Sequence, residues 1–260
     1  MVRLPSLLIA FLLVPAASSS AAAQLTAAPA TTGTGTHLTL VADGSVFAGK
    51  IPNSLALRVA RGFVLDPRSV AGRCTDAQAA DAVCPSEARV GTGTALVEAG
   101  SAFGTQDYTA NIAVFLAEPR AAGDLAGVVA IVELNGERTG AKGRVVALAD
   151  GPFGLEVRFD SFPAPAVPPG ITVKLKRLEL ETGAERSERV SVRCRKRSKT
   201  CRPVRKGCKG KRCKLAKTKF VRRDLLTTPA TCAGTWPAQA FATFPDGTSA
   251  TVDAAAACRE

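Results

Sequence analysis

The sequence predicts an all-β protein, an antiparallel β-sandwich of the jelly-roll type with minimal helix. Short segments of alternating apolar and polar residues recur from Leu38 onward, Gly, Pro and Asp separate them, and only one place carries a good helix start. We count about ten to twelve such strands, at the spacing expected for two packed sheets. Aromatic residues make up 5% of the chain. The core is therefore expected to consist of small and branched side chains, which pack well between sheets.

The first 23 residues have the order of parts expected of a secretory signal peptide. Arg3 supplies a positive charge, Leu4 to Val14 supply an apolar stretch of 11 residues, and Ala21 to Ala23 supply small residues for cleavage. A membrane anchor is disfavoured, because a helix needs roughly 20 apolar residues to cross the hydrocarbon core. No second apolar run of membrane length follows. We expect a protein that is secreted or retained at the cell surface, with no transmembrane segment after cleavage.

The rest of the chain is predicted to form a flexible lead-in at residues 24–36 and one β-sandwich domain at residues 37–260. The lead-in is mostly Ala, Thr, Pro and Gly, without periodicity. In the domain, alternation is clearest from Tyr108 to Leu116, whereas Val128 to Val132 are apolar on both faces, as in a strand covered on both sides. The alternation between Ile171 and Leu180 slips by one residue at Lys176-Arg177, which predicts a β-bulge.

Three local signals punctuate these strands. Thr75 to Gln78 form a capping-box pattern before an alanine-rich turn or two, which is the one good helical start. Pro163 to Gly170 are too rich in proline for a strand and predict a loop. Phe244 to Gly247 carry hairpin turn residues between two alternating segments.

The chain contains eight cysteines, all beyond the predicted signal peptide. An even number of cysteines in a secreted chain favours a disulfide framework. They are Cys74, Cys84, Cys194, Cys201, Cys208, Cys213, Cys232 and Cys258. We favour pairing the first two with each other and the last two with each other, across the final hairpin; the middle four would then pair in one of three ways.

Geometry constrains one of these pairs. Ten residues of straight helix would hold Cys74 and Cys84 ~15 Å apart, whereas a disulfide needs ~4.4–6.8 Å between Cα atoms. The helix must therefore be short, and the chain must double back before Cys84. A zinc ion held by the middle four thiolates is a less favoured alternative, because their gaps are six, six and four residues and no histidine is near.

Residues 193–223 form a basic, cysteine-rich excursion from the β-domain. The segment contains 16 Lys or Arg and no Asp or Glu, and subtracting it from the totals of 34 basic and 22 acidic residues leaves 18 against 22 elsewhere. Disulfides would gather these charges into a compact knob that attracts polyanions. The residues predicted to bind are Arg195, Lys196, Arg197, Lys199, Arg202, Arg205, Lys206, Lys209, Lys211, Arg212 and Lys214.

Two other interpretations of this segment are possible. It could be a solvated structural loop without a ligand. Specific nucleic-acid recognition is not predicted, because Phe220 is the only aromatic residue available for stacking on bases. Anionic cell-wall or extracellular polymers suit an exported protein better.

The sequence predicts no enzyme, no cofactor and no metal. The single histidine, His37, lies before most of the fold, which disfavours a Ser-His-Asp arrangement. Acids such as Asp150, Glu156 and Asp160 are available for a glycosidase pair, but nothing distinguishes them from solvated strand positions. A carbohydrate-binding or hydrolytic groove using such acids and Trp236 is kept as an alternative function.

Two stretches carry a resemblance to a known family. Ile51 to Val97 contain a proline, an apolar strand and two cysteines, the second of which begins Cys-Pro and leads to Val-Gly-Thr. Thr227 to Cys258 contain Pro-x-x-Cys, Asp-Gly and a closing Cys. In these motifs the chain resembles large, uncharacterised secreted β-sandwich proteins of GC-rich Gram-positive (actinobacterial) bacteria. The resemblance implies export, a β-sandwich and the pairs Cys74–Cys84 and Cys232–Cys258. It implies no activity and does not cover the basic segment.

Overall fold

The computed structural model describes residues 23–162, 169–194, 201–203 and 217–260. The described chain is almost entirely β, which confirms the predicted class. Its strands are β1 (Ala23–Ala28), β2 (His37–Asp43), β3 (Ser54–Ala60), β4 (Val64–Leu65), β5 (Arg89–Ser101), β6 (Gly104–Ala117), β7 (Asp124–Leu134), β8 (Glu137–Ala147), β9 (Phe153–Phe159), β10 (Thr172–Thr182), β11 (Glu185–Cys194), β12 (Cys201–Pro203), β13 (Lys217–Asp224), β14 (Leu226–Thr227), β15 (Thr235–Thr243) and β16 (Ser249–Ala257). Helix is limited, within these residues, to α1 (Asp76–Ala80) and the short 3-10 turns Gly44–Phe47, Pro67–Ser69 and Ser86–Ala88.

Eleven strands form one antiparallel sheet, in the order β1-β2-β10-β5-β6-β7-β8-β9-β3-β15-β16. The sheet curls until its two edge strands, β1 and β16, lie against each other. Beyond these strands, the Arg259 N–H donates to the Ala30 carbonyl at 3.0 Å and the Thr32 N–H donates to the Arg259 carbonyl at 3.1 Å. Hydrogen bonding runs through all eleven strands without a break, so the finer prediction of a two-sheet, jelly-roll sandwich is not confirmed.

The middle of this sheet is covered on both faces. In β7, every residue from Ala126 to Ile131 is buried, as the apolar run predicts. Ala126, Val128 and Ala130 pack into the interior of the curled sheet with Leu116. Val129 and Ile131 face outward and lie beneath the loop that carries α1.

The loop over the outer face is built as its sequence predicts. The Gln78 N–H donates to the Thr75 hydroxyl at 3.3 Å, and the Thr75 N–H donates to the Gln78 side-chain oxygen at 3.0 Å, which completes the capping box. The helix has only five residues. The chain therefore doubles back in time for Cys74 and Cys84 to form a disulfide, with their Cα atoms 5.1 Å apart.

Two further local predictions are confirmed. The register between β10 and β5 shifts between Leu175 and Arg177, which leaves Lys176 as the bulged residue. The hairpin between β15 and β16 turns at Asp246, whose carboxylate accepts hydrogen bonds from the N–H and the hydroxyl of Thr248. Gly247 adopts a φ of 80°, a left-handed conformation that favours glycine at this turn.

The segment expected to be a flexible lead-in differs from that expectation. Residues 23–28 form β1, which pairs with β2 from Ala23↔Ala42 to Ala28↔His37. Leu25 is buried beside Trp236 in the core, and Thr36 is only 2% exposed. The composition of this segment does not indicate a strand, because a single buried leucine and pairing with β2 are sufficient to order it. The predicted signal peptide, apart from residue 23, and most of the predicted loop at Pro163–Gly170 lie outside the described residues.

Two small sheets complete the described fold. One pairs β14 with β4, and the other has the order β12-β11-β13. The second sheet carries the described parts of the basic excursion, and in it β12 and β13 each pair with β11 as antiparallel strands.

Candidate functional site

The base of the β12-β11-β13 sheet is fixed to the core. Leu225, directly after β13, is 5% exposed. Its N–H donates to the Ala184 carbonyl at 2.7 Å, and its carbonyl accepts from the Asp66 N–H at 2.9 Å. A Cβ atom on Gly183 would lie 2.5 Å from the His37 ring, so glycine lets the chain turn closely past β2 as it leaves β10. Both strands of the excursion therefore start from anchored positions.

Ion pairs surround this base. The Arg222 guanidinium lies 2.7 Å from Asp224 and 2.6 Å from Glu185. These carboxylates, Asp224 first, raise the pKa of Arg222. Arg223 lies 3.3 Å from Asp66. The acids that neutralise the base come from outside residues 193–223, which contain none.

Asp66 joins this base to the main fold. It accepts hydrogen bonds from the Arg68 N–H at 3.1 Å and the Arg68 Nε at 2.8 Å. Chiefly because of the Arg68 side-chain hydrogen bond, the pKa of Asp66 is lowered from its ordinary value. One carboxylate thus caps the turn at Pro67–Ser69 and holds an arginine of β13.

The register of the excursion is defined by its backbone pairing. Strand β11 pairs with β13 from Glu185↔Asp224 to Val192↔Lys217, and with β12 from Val192↔Pro203 to Cys194↔Cys201. Arg202 is the only predicted polyanion-binding residue within the described part of the chain, and it pairs with Arg193. Lying outside the described residues are Arg195, Lys196, Arg197, Lys199, Arg205, Lys206, Lys209, Lys211, Arg212, Lys214 and the cysteines Cys208 and Cys213.

The second predicted disulfide, between Cys232 and Cys258, is also present. Their Cα atoms lie 5.8 Å apart. The bond ties the loop before β15 to the residue that follows β16. It therefore secures the edge strand that meets β1.

The carbohydrate alternative meets two structural obstacles. Trp236 is 3% exposed, packs edge-on against Phe63 with 5.4 Å between ring centroids, and donates its indole N–H to the Thr231 carbonyl. It is a core residue and offers no stacking platform to a sugar. Of the candidate acids, Glu156 is buried and bonded to Arg58 at 2.7 Å, and Asp160 is paired with Arg158 at 2.6 Å.

Two open cavities flank the disulfide-closed loop that carries α1. One, of about 610 Å³, lies over β5, β6 and β10 and mixes the acids Glu133, Glu179 and Glu181 with Arg89. The other, of about 660 Å³, lies beside β8 and is lined by four cations, Arg120, Arg138, Lys142 and Arg144.

The sequence alone does not predict the second of these cavities. Its signal is the spacing Arg138-x-Gly140-x-Lys142-x-Arg144, which puts three cations and one glycine on the same face of β8. The intervening residues Ala141 and Val145 point into the core. This pattern does not by itself indicate a cavity, because any strand with one buried and one solvated face has the same alternation.

Among the residues that the structure describes, no group of three or more His, Cys, Asp or Glu side chains could hold a metal ion. Within the same residues, no helix combines the length and the apolar character needed to cross a membrane.

No protein-family model, no curated protein and no solved structure matches this chain.

Proposed function

We propose that this is a secreted, non-enzymatic protein of the cell envelope or exterior, and that its basic segment, residues 193–223, binds anionic polymers. One observation carries the proposal: 16 of the 31 residues are Lys or Arg and none is acidic, on a segment whose flanking strands fold back in register. Repulsion between so many like charges would extend a free chain. Pairing of β11 with β12 and β13 instead brings the strands of this basic segment side by side, and a concentration of like charge raises the local positive potential.

Charge balance supports placing the site here. Outside the segment, basic and acidic residues number 18 and 22. Many of the described cations there have carboxylate partners, such as Lys50 with Asp246 at 2.6 Å and Lys176 with Asp107 at 3.1 Å. An anionic chain would therefore be attracted chiefly to the excursion.

Export is supported by the predicted signal peptide and by the two described disulfides, since such bonds persist in oxidising compartments. The proposed ligands are phosphate-, sulfate- or carboxylate-bearing cell-wall or extracellular polymers. A purely structural envelope protein without a polyanion ligand is the alternative. A carbohydrate-binding module is less favoured because Trp236 is buried.

Salt-dependent retention on immobilised heparin tests this proposal. In the chain without its signal peptide, Arg205, Lys206, Lys209, Lys211 and Arg212 are replaced by Gln. At roughly 0.3–0.5 kcal/mol for each exposed contact, the loss of five contacts should weaken binding by about ten- to seventyfold. Retention of all forms should fall as salt rises, because salt screens exposed charges.

A matched control carries the same change in net charge elsewhere. Arg61, Arg89, Lys174, Arg177 and Arg259, all exposed, are replaced by Gln. We expect this variant to elute close to the unmodified protein. Equal weakening in both variants would show that overall net charge, and not the basic segment, determines binding. Unchanged retention of the first variant would favour the purely structural alternative.

A further inference from the structure

The cavity beside β8 is lined by four cations, none of which belongs to the basic segment. Its wall is formed where α1 lies directly on β8. A Cβ atom at Gly140 would lie 2.4 Å from the Ala79 carbonyl oxygen, so only glycine permits this approach. The disulfide between Cys74 and Cys84 holds the loop in place, and the Cys74 N–H donates to the Leu116 carbonyl at 2.8 Å. The wall is therefore fixed on both sides.

Two of the four cations in this cavity already have close carboxylate partners. Arg138 lies 2.6 Å from Glu133, and Lys142 lies 3.1 Å from Asp76. The Lys142 ammonium lowers the pKa of Asp76, with a smaller contribution from Arg120. The acid in the cavity lining, Asp160, is itself paired with Arg158. These pairs define the rim of the cavity and hold its charges in place.

The other two cations, Arg120 and Arg144, have unused hydrogen-bonding capacity. The nearest carboxylate oxygen to the Arg144 guanidinium belongs to Asp124 and lies 3.9 Å away, beyond hydrogen-bond distance. The Arg144 Nε is buried without a hydrogen-bond partner. The Asp124 carboxylate instead accepts the backbone N–H groups of Arg120 and Ala121 at 3.1 and 2.9 Å. The Arg120 side chain makes no hydrogen bond or ion pair with the described residues.

We propose that Arg120 and Arg144 form an oxyanion-binding site that takes a phosphate or carboxylate group in the cavity between α1 and β8. A guanidinium offers a planar fork of donors that matches such groups. Lys142 adds a point charge at the rim. An incoming anion would accept hydrogen bonds from the exposed part of these two guanidinium groups; the Arg144 side chain is 35% exposed. This inference concerns other residues than the proposed function and does not depend on it.

The experiment uses the variant in which Arg205, Lys206, Lys209, Lys211 and Arg212 are replaced by Gln, so that the basic segment contributes little to binding. Arginine Nε–H signals are followed by ¹H–¹⁵N NMR while inorganic phosphate, or separately trigalacturonate, is added. We expect saturable shifts of the Arg120 and Arg144 signals, with a Kd on the order of millimolar for a single group. The probe that shifts them identifies the group as phosphate or carboxylate.

Substitutions complete the test. Arg120→Gln with Arg144→Gln should weaken the interaction by about tenfold or more, as expected for loss of charge-assisted bonds. Arg61→Gln with Arg177→Gln is the matched control and should leave the titration unchanged. Thermal unfolding of each variant checks that the fold persists. Absence of a saturable shift with both probes, or equal shifts of all exposed arginines, would overturn the inference, and the signals of the unsubstituted arginines decide this even if a substituted chain does not fold.

Discussion

The eleven-stranded sheet and the β12-β11-β13 sheet use the same antiparallel pairing but distribute charge differently. In the large sheet, many cations are matched by acids, as where Arg58 pairs with Glu156 across β3 and β9. In the small sheet, among the side chains that the structure describes, such matching occurs at the base, at Arg222 and Arg223. The comparison teaches that the large sheet is organised for stability, whereas the excursion maintains an excess of positive charge that its own sequence does not balance.

If that division is correct, the largest loss of stability should follow a change in the core of the large sheet. Trp236→Ala removes a buried indole that packs on Phe63 and should lower the free energy of unfolding by about 3–5 kcal/mol. Urea denaturation measures this loss. Heparin retention, measured where the variant is still folded, should not change. A large loss of retention in folded protein would contradict the separation of the two roles.

The next largest effect is expected at the Cys232–Cys258 disulfide. Replacing both cysteines by Ser frees the end of β16 and should cost about 2–4 kcal/mol, since the cross-link restricts the unfolded chain. Thermal and urea unfolding of the double variant against the unmodified chain give the value. A change below about 0.5 kcal/mol, the range of ordinary surface substitutions, would show that β16 is held without this bond.

Asp66 lies between the two regions, and its substitution should have a smaller effect. Asp66→Ala removes a cap and a partner of Arg223, and should cost about 1 kcal/mol. Asp66→Asn is the matched control, because an amide can still cap the turn but carries no charge.

The same residue predicts a pH dependence. The folded-state pKa of Asp66 lies below its ordinary value of 3.8. Its charge therefore stabilises the fold above pH 3.8, and this contribution is lost as the pH falls through the lowered pKa. Urea unfolding at pH 6 and pH 3 should show that the free energy of unfolding declines less for Asp66→Asn than for the unmodified chain. Parallel declines would show that Asp66 does not contribute to the pH dependence of stability.

The smallest effect on stability is expected at the tip of the small sheet. Directly opposed residues in antiparallel strands have Cα atoms about 4.5–5.5 Å apart, within the ~4.4–6.8 Å range of a disulfide. We therefore predict that a non-reducing peptide map links Cys194 to Cys201, which are paired in the register. Replacing both by Ser should change global stability by less than about 0.5 kcal/mol, in contrast to the Cys232–Cys258 pair. Recovery of either cysteine linked to Cys208 or Cys213 would contradict the register.

The features that can be predicted from the sequence are those whose determining interaction is local. The capping box at Thr75, the bulge at Lys176 and the turn at Asp246 each depend on a few neighbouring residues with distinctive chemistry. The two described disulfides follow from spacing and from the hairpin that brings Cys258 back towards Cys232. Such signals survive in a single sequence because they need no knowledge of distant partners.

The long-range arrangement of the strands could not be predicted from the sequence. Nothing in β10 indicates that it lies between β2 and β5, more than 70 residues away from either. The burial of Trp236 depends on Phe63 and on the Thr231 carbonyl that accepts its N–H. The anion cavity needs Arg120, from the turn before β7, to meet alternate residues of β8 that look like an ordinary solvated face. In each case the fold, and not the local pattern, brings the groups together.

The meeting of β1 with β16 has a consequence for the order of assembly. The earliest and the latest strands of the described fold are neighbours, so the sheet cannot close before nearly all of the chain has been synthesised. Until then two strand edges are open, and open edges invite pairing with other chains. Contacts so distant in sequence also slow folding. A chain with this topology is protected from such pairing if it stays unfolded until its final hairpin has been synthesised. The hairpin that turns at Asp246 then closes the sheet.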